Sequence, residues 1–141
     1  MAAKALFETH ETRIHIEGGL EAPEIVGYPD DLMTAMVNLL ANSIHWLEEA
    51  RTPDPLINVT LFTRGSDLVI YVDDNGPGVR PEFADDIFDV GFSLKPDGTG
   101  LGLNIAKEAL ARSEGALLFH VEYQGGARFE IRFALPERKA S

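Results

Sequence analysis

Three groups of residues in this chain have types and spacings that could do chemistry. The first is Asn38 and Asn42, followed by His45, in the run MTAMVNLLANSIHWL. Four residues is about one helical turn, so two neutral amide oxygens could reach one hard cation such as Mg²⁺ without adding charge. A solvated helix face is the plain alternative, but such a face is normally filled with Glu, Lys or Gln. Asn in mid-helix costs a few tenths of a kcal/mol. His45 could hydrogen-bond a phosphate from the same side, or pack beside Trp46.

The second group is DDNGPGV at 73–79, directly after the apolar run LVIYV. Gly76 and Gly78 permit backbone angles closed to other residues, and Pro77 stiffens the turn between them. Asp74, at the strand's end, is thereby held at the floor of any pocket the loop encloses. A buried carboxylate there wants a donor, and the exocyclic amine of adenine is one. The third group is Gly98-Thr99-Gly100-Leu101-Gly102-Leu103, at the start of a helix. Glycines there let N–H groups approach an anion, and the helix dipole adds to the attraction. The pattern is neither GxGxxG nor GxxxxGKS and follows no strand, so dinucleotide binding is set aside.

These groups need elements to position them. Residues 31–50 read as a long helix with Pro29-Asp30-Asp31 supplying its start and a capping carboxylate. On a wheel with Asn38 at zero, Asn42 falls near about 40° and His45 near about −20°. Met33, Met36, Val37, Leu40, Ile44 and Leu47 then form the expected core face, diametrically opposite that polar stripe. Residues 13–17 alternate as a half-buried strand, with Ile14 and Ile16 on one side, and 24–28 suggest a short one. Strands at 57–63 and 68–73 flank RGSD, a hairpin signal. Pro81 opens a short helix over 81–88, and 101–112 is a helix with Leu101, Ile105 and Ala109 in one stripe. Strands near 116–122 and 127–135 follow, the last placing Phe129, Ile131, Phe133 and Leu135 inward and Arg128, Glu130 and Arg132 outward. The expected class is α+β: a two-layer sandwich with a mixed, mostly antiparallel sheet covered by three helices on one face. Tight hairpins speak against a doubly wound α/β fold.

Composition narrows the function classes. The 141 residues include 12 basic and 23 acidic side chains, a net charge of −11, and no cysteine. That balance argues against nonspecific nucleic-acid binding, which needs basic surface. It leaves room for a small anionic ligand held by a few N–H groups. Disulfides and thiolate metal sites are excluded, in agreement with a reducing, cytoplasmic setting. No apolar run approaches the roughly 20 residues of a membrane span. We expect one domain over 1–141, without membrane contact, and monomeric when isolated.

Taken in order, the Asn38/Asn42 pair, DNGPGV and GTGLGL resemble the N, G1 and G2 boxes of the Bergerat-fold (GHKL) ATP-binding family. That family includes gyrase, heat-shock chaperone and mismatch-repair ATPases and the histidine kinases, and the resemblance runs over about residues 12–135. It implies that Asp74 accepts a hydrogen bond from the adenine amino group and that Asn42 binds Mg²⁺. Asn38 matches the second, upstream asparagine of histidine kinases, NLLANS looking like their NLLxNA. By the same resemblance Gly76 and Gly78 shape the G1 loop, while Gly98, Gly100 and Gly102, with Thr99 and Leu101 between them, border the lid and triphosphate. Phe88 and Phe92 look like the F box, and Lys95, in a short ATP lid at about 89–99, could reach the phosphates. His45 stands where lysine is commoner, and Val90-Gly91 where Pro-Phe is often found.

Hydrolytic members carry a glutamate at the position of Asn38. An amide oxygen is scarcely basic at neutral pH and cannot serve as a general base. The resemblance therefore points to phosphoryl transfer onto a better nucleophile, such as histidine. None of His10, His15, His45 and His120 sits on a long helix with room for a partner, so we expect a catalytic ATP-binding domain of a two-component sensor histidine kinase. Its partners would be a separate dimerising histidine-phosphotransfer hairpin and a downstream response regulator. A nucleotide sensor without transfer activity, or a hydrolytic ATPase of the same fold, are the alternatives.

Overall fold

The computed structural model describes residues 3–9, 12–18, 29–89 and 102–134. Six strands form one sheet: β1 (Ala3–Thr9), β2 (Thr12–Gly18), β3 (Leu56–Arg64), β4 (Asp67–Asp74), β5 (Ala116–Phe119) and β6 (Ala127–Ala134). Their spatial order is β1-β2-β3-β4-β6-β5. β2 and β3 are parallel, with helix α1 (Pro29–Glu49) between them in the chain, and every other pair is antiparallel. Helix α2 (Gly102–Arg112) packs against α1 on the same face of the sheet. A single parallel pair leaves no room for a doubly wound fold, and the two-layer α+β sandwich holds.

Several elements differ from their sequence signals. Strand β1 was not expected: AKALFET has no clean alternation, and pairing with β2 from Ala3↔Gly18 to Thr9↔Thr12 makes it a strand. The expected helix over 81–88 is a single 3₁₀ turn at Pro81–Phe83 followed by turns. Two α-helices and that turn, rather than three helices, are thus seen among the described residues. The expected strand at 24–28 lies outside them. Pro29 opens α1 as its first residue, so Asp30 and Asp31 belong to the first turn, where they complement the dipole, and are not the cap. Asp31 also ties the two helices: it accepts hydrogen bonds from Ser113 Oγ at 2.6 Å and Arg112 Nε at 3.3 Å. The Ser113 bond, followed by the charge of Arg112, holds its carboxyl below the ordinary range.

The core between helices and sheet contains Leu39, Leu47, Ile57, Leu68, Ile70, Leu110, Phe129 and Ile131. The inward-facing positions of β6 fall as expected for Phe129, Ile131 and Phe133, while Leu135 lies outside the described residues. The face of α1 is corrected. Its buried residues are Ala35, Leu39, Ser43 and Leu47, one turn apart each, whereas Met33 and Val37 are 64% and 56% exposed. On the wheel the buried centre sits at about 120° from Asn38, not 180°. Asn38 and Asn42 therefore flank the core face, half-buried, where the helix meets its neighbours. Small residues decided this: Ala35 and Ser43 let α1 approach the sheet, so the larger Met33 and Val37 turn outward. On α2 the same logic buries Ala106, Ala109 and Leu110 and leaves Ile105 at the surface.

Candidate functional site

The site is best built from the end of β4. Alternation sends Asp73 and Asp74 to opposite faces of the sheet. Asp73 pairs with Arg128 through two hydrogen bonds of 2.7 and 2.8 Å, and the guanidinium stacks over Tyr71 and Tyr123. Asp74, on the helix side, is 7% exposed and has no cationic partner among the described residues. Its Oδ1 accepts from the backbone N–H of Gly76 at 2.9 Å and of Ala127 at 3.3 Å. Burial raises its pKa above the ordinary value; the Gly76 N–H, the Ser43 hydroxyl and the Ala127 N–H oppose that rise, and the charge of Asp73 adds to it. A carboxylate so placed is a strong acceptor with unused capacity, aimed toward α1.

The loop after Asp74 is held from three sides. Asn75 accepts from Leu56 N–H at 2.8 Å and donates to the Asp54 carbonyl at 2.9 Å, pinning the loop to the start of β3. Gly76 sits under α1, where an added Cβ would come within 3.1 Å of Asp74 Oδ1 and 3.2 Å of Leu47 Cδ2. Gly78, at φ +75°, faces Gly126. Gly126 is the tightest position of all: a Cβ there would lie 1.8 Å from the Asp74 carbonyl oxygen. The turn before β6 thus backs the carboxylate, and Ala127, next in the chain, supplies one of its two N–H donors.

Along α1, Asn38, Asn42, Ser43 and His45 follow one another toward this loop. Asn38 Nδ2 donates to the Thr34 carbonyl at 2.8 Å, which turns its Oδ1 away from the helix. Asn42 makes no side-chain hydrogen bond to another described residue. Ser43, 1% exposed, turns its hydroxyl toward Asp74 and opposes the rise in its pKa, at a distance or angle short of a full hydrogen bond to any described residue. His45 packs edge-on against Trp46, centroids 5.3 Å apart, with Nε2 buried and unpartnered among the described residues.

Phe88 is held by α2. Asn104 Nδ2 donates to its carbonyl at 3.3 Å, and Lys107 Nζ lies 5.2 Å from its ring centroid. The structure thus brings Asn38, Asn42, Asp74, Gly76 and Gly78 onto two adjoining elements. Gly102 opens α2 with no described atom crowding its Cβ position. Phe92, Lys95, Gly98, Thr99, Gly100 and Leu101, and all of the expected lid except Asp89, lie outside the described residues.

Sequence reasoning missed Ser43, Asn75, Asn104 and Gly126. Gly126 had a signal, the doublet Gly125-Gly126, taken only as a turn. The others depend on partners 16 to 21 residues away or on a neighbouring element, which no local pattern encodes.

The family described as histidine kinase-, DNA gyrase B-, and HSP90-like ATPase matches residues 27–137. The sensor protein CitS of Halalkalibacterium halodurans is 34% identical over 110 residues, which span 77% of this chain and 20% of that protein. The C4-dicarboxylate transport sensor protein DctS of Rhodobacter capsulatus is 33% identical over 129 residues, 89% of this chain and 19% of that one. The chain spans about a fifth of these curated relatives. Among solved structures, full-length ShkA in complex with AMPPNP superposes with a TM-score of 0.73 at 26% identity, over 90% of this chain and 27% of that one. The mycobacterial sensor histidine kinase MprB shares the fold, with a TM-score of 0.66 at 23% identity over 88% and 79%.

Proposed function

We propose, for a chain that belongs to the histidine kinase-, DNA gyrase B- and HSP90-like ATPase family, the function of the ATP-binding catalytic unit of a two-component sensor kinase. The observation that carries the reading is Asp74: buried, without a cation among the described residues, braced by two backbone N–H groups, and facing the amide-bearing helix. A carboxylate in that state destabilises the fold unless a donor approaches it, and the adenine 6-amino group is such a donor. Asn38 and Asn42 present neutral oxygens on the flank of α1 nearest that end of the site. No cluster of three His, Cys, Asp or Glu residues is found among the described residues that could cage a metal alone. That donor set fits Mg²⁺, which takes most of its shell from water and phosphate oxygens. Mg²⁺ bound with the triphosphate supplies charge neutralisation for the phosphoryl group in transfer.

The protein's own part is placement. Asp74 anchors the base; Gly76 and Gly78 keep the loop low over it; Asn38 and Asn42 hold the phosphate end through the cation. By the family resemblance, Gly98, Thr99, Gly100, Leu101 and Gly102 would serve the phosphates, Lys95 would add a positive charge, and Phe92 would belong to the nucleotide site. His45, its ring held against Trp46, stands one turn beyond the amides and is the candidate to touch a phosphate oxygen. The bond from the γ-phosphorus to its bridging oxygen breaks, ADP leaves, and a nitrogen–phosphorus bond forms to a histidine on a separate helical hairpin. A response regulator would receive the group next. With asparagine at position 38 the chain lacks the carboxylate that would activate water, so transfer is favoured over hydrolysis.

Incubation with γ-labelled ATP and a separate histidine-hairpin domain tests this. Label on the hairpin supports transfer; binding without turnover makes the protein a nucleotide sensor; release of free phosphate alone makes it a hydrolase.

A further inference from the structure

Asn75 is the residue of DDNGPGV that the proposed function leaves without a chemical task. It is exposed, and of the chain's five asparagines it alone is followed by glycine. In such a pair the backbone nitrogen of Gly76 can attack the side-chain carbonyl carbon of Asn75, because glycine has no Cβ to block the approach. The fold holds these two groups apart. Asn75 Oδ1 accepts from the Leu56 N–H at 2.8 Å and Nδ2 donates to the Asp54 carbonyl at 2.9 Å, so both ends of the amide are tied at the start of β3. The backbone N–H of Asn75 donates to the Leu56 carbonyl at 3.2 Å, which makes this residue one more rung of the β3–β4 ladder. The attacking nitrogen is tied as well. Gly76 N–H donates to Asp74 Oδ1 at 2.9 Å, and the carboxylate opposes its deprotonation. The amide's anchor is itself strained, since Asp54 stands at φ +46° directly before Pro55, where extended backbone is the rule.

We propose that Asn75 is a deamidation site guarded by these hydrogen bonds, converted only when the loop swings free of β3, and that conversion ends nucleotide binding. In the opened loop the Gly76 nitrogen gives its proton to a base in solvent and bonds to Asn75 Cγ. The Cγ–Nδ2 bond breaks, and ammonia leaves with a proton returned from solvent. The cyclic imide then takes up one water molecule. Opening at one carbonyl leaves aspartate at position 75; opening at the other leaves isoaspartate, with the main chain routed through the former side chain. Neither product fits the closed loop. Aspartate loses the donor to the Asp54 carbonyl, sets oxygen against oxygen there, and adds a negative charge next to Asp73 and Asp74. Isoaspartate lengthens the main chain by one carbon just before Gly76, where even an added Cβ would come within 3.2 Å of Leu47 Cδ2. The loop is thus a one-way switch, intact while closed and off once it has opened for long enough. The loss of nucleotide binding rests on the function proposed above; the guarded chemistry does not.

The chain is incubated at alkaline pH as folded protein, as folded protein with Mg·ATP, and in urea, and peptide mass spectrometry follows the amide-to-acid mass gain at Asn75. Asp97-Gly98 can form the same imide without that gain and so does not interfere. Conversion in the folded chain is expected to be slower than in urea by about tenfold or more, the worth of one or two hydrogen bonds. Mg·ATP at about 100 times its Kd is expected to slow it by about another hundredfold, because the opened loop does not hold the nucleotide. Asn75→Asp, which carries one product from the start, is expected to bind ATP about tenfold more weakly than the unmodified chain. Equal rates in the folded chain and in urea overturn the proposal, as does conversion of another asparagine before Asn75 in urea. Mg·ATP that binds without slowing conversion, or full ATP affinity in Asn75→Asp and in the aged chain, overturns the link to the nucleotide site. A fresh chain that binds no ATP overturns the function proposed above and the switch with it; the guard itself is then decided by the folded chain against urea.

Discussion

The two faces of the sheet treat their buried carboxylates in opposite ways. On the open face, Glu130 of β6 is 2% exposed, yet it is surrounded: His120 Nε2 lies 2.7 Å from Oε1, Arg132 donates to Oε2 at 2.7 and 2.9 Å, and Arg64 stands 3.8 Å away. Burial alone would raise its pKa, but the bonds from Arg132 and His120 and the charges of Arg132 and Arg64 pull it below the ordinary value. On the helix face, Asp74 has two backbone N–H groups and no cation among the described residues, and burial raises its pKa. One carboxylate is satisfied by the fold; the other is held ready for something outside it. Solvent exposure does not separate them, since both are buried. Partner chemistry does, and that is why the proposed function rests on Asp74 and not on Glu130.

Four changes break or sharpen this contrast. The largest effect is expected from Gly126→Ala. Its Cβ would meet the Asp74 carbonyl at 1.8 Å, at a φ of +152°, and we expect a loss of about 3 kcal/mol or more of stability in urea unfolding, with ATP binding lost. Asp74→Asn follows. ATP affinity should fall by about a hundredfold in calorimetric titration, the scale of a bond to a charged acceptor, while the thermal midpoint rises. The sign follows from the raised pKa: ionising Asp74 is harder in the folded chain, so its contribution to stability declines as pH climbs from the ordinary 3.8 through the folded value. An amide removes that burden and the site's selectivity together. A variant that loses both stability and binding would instead place Asp74 with the structural carboxylates.

Glu130→Gln should behave in reverse, leaving ATP affinity within about twofold but lowering stability by about 2 kcal/mol in urea unfolding. The figure is below that for a wholly buried ion pair because Arg132 and Arg64 are partly solvated. The smallest effect is the pH response of the unmodified chain, which sets the two carboxylates against each other. Stability owed to Glu130 is present above its ordinary 4.5 and is lost as pH falls through its lower folded value. ATP affinity should weaken sooner on acidification, at a pH above that of an ordinary aspartate, because Asp74 takes up its proton there. Parallel titrations of melting temperature and ATP affinity check the order; coincident midpoints would erase the distinction drawn here.

Local chemistry carried a large share of this architecture. The hairpin around RGSD appears as β3 and β4, with Gly65 at φ +60°, because two apolar runs across a short polar turn have few other ways to bury themselves. DDNGPGV announced both the end of β4 and the place of its carboxylate at the floor of the glycine turn, since strand period and glycine turn are properties of adjacent residues. The alternation of β6 was legible too, but it assigned Glu130 to solvent, and cross-strand partners covered it instead.

The sequence by itself thus determined the order of elements from α1 to β6, the position of Asp74 at the floor of a glycine turn, and the amide spacing of Asn38 and Asn42. Only the tertiary structure decided which face of α1 is buried. Depth of approach depends on the small residues Ala35 and Ser43, and a wheel weighted by hydrophobicity gives small residues little voice. The same holds for what surrounds each carboxylate. Arg64, His120, Ala127 and Ser43 reach Glu130 or Asp74 from distant parts of the chain, and such encounters exist only after the chain has closed on itself.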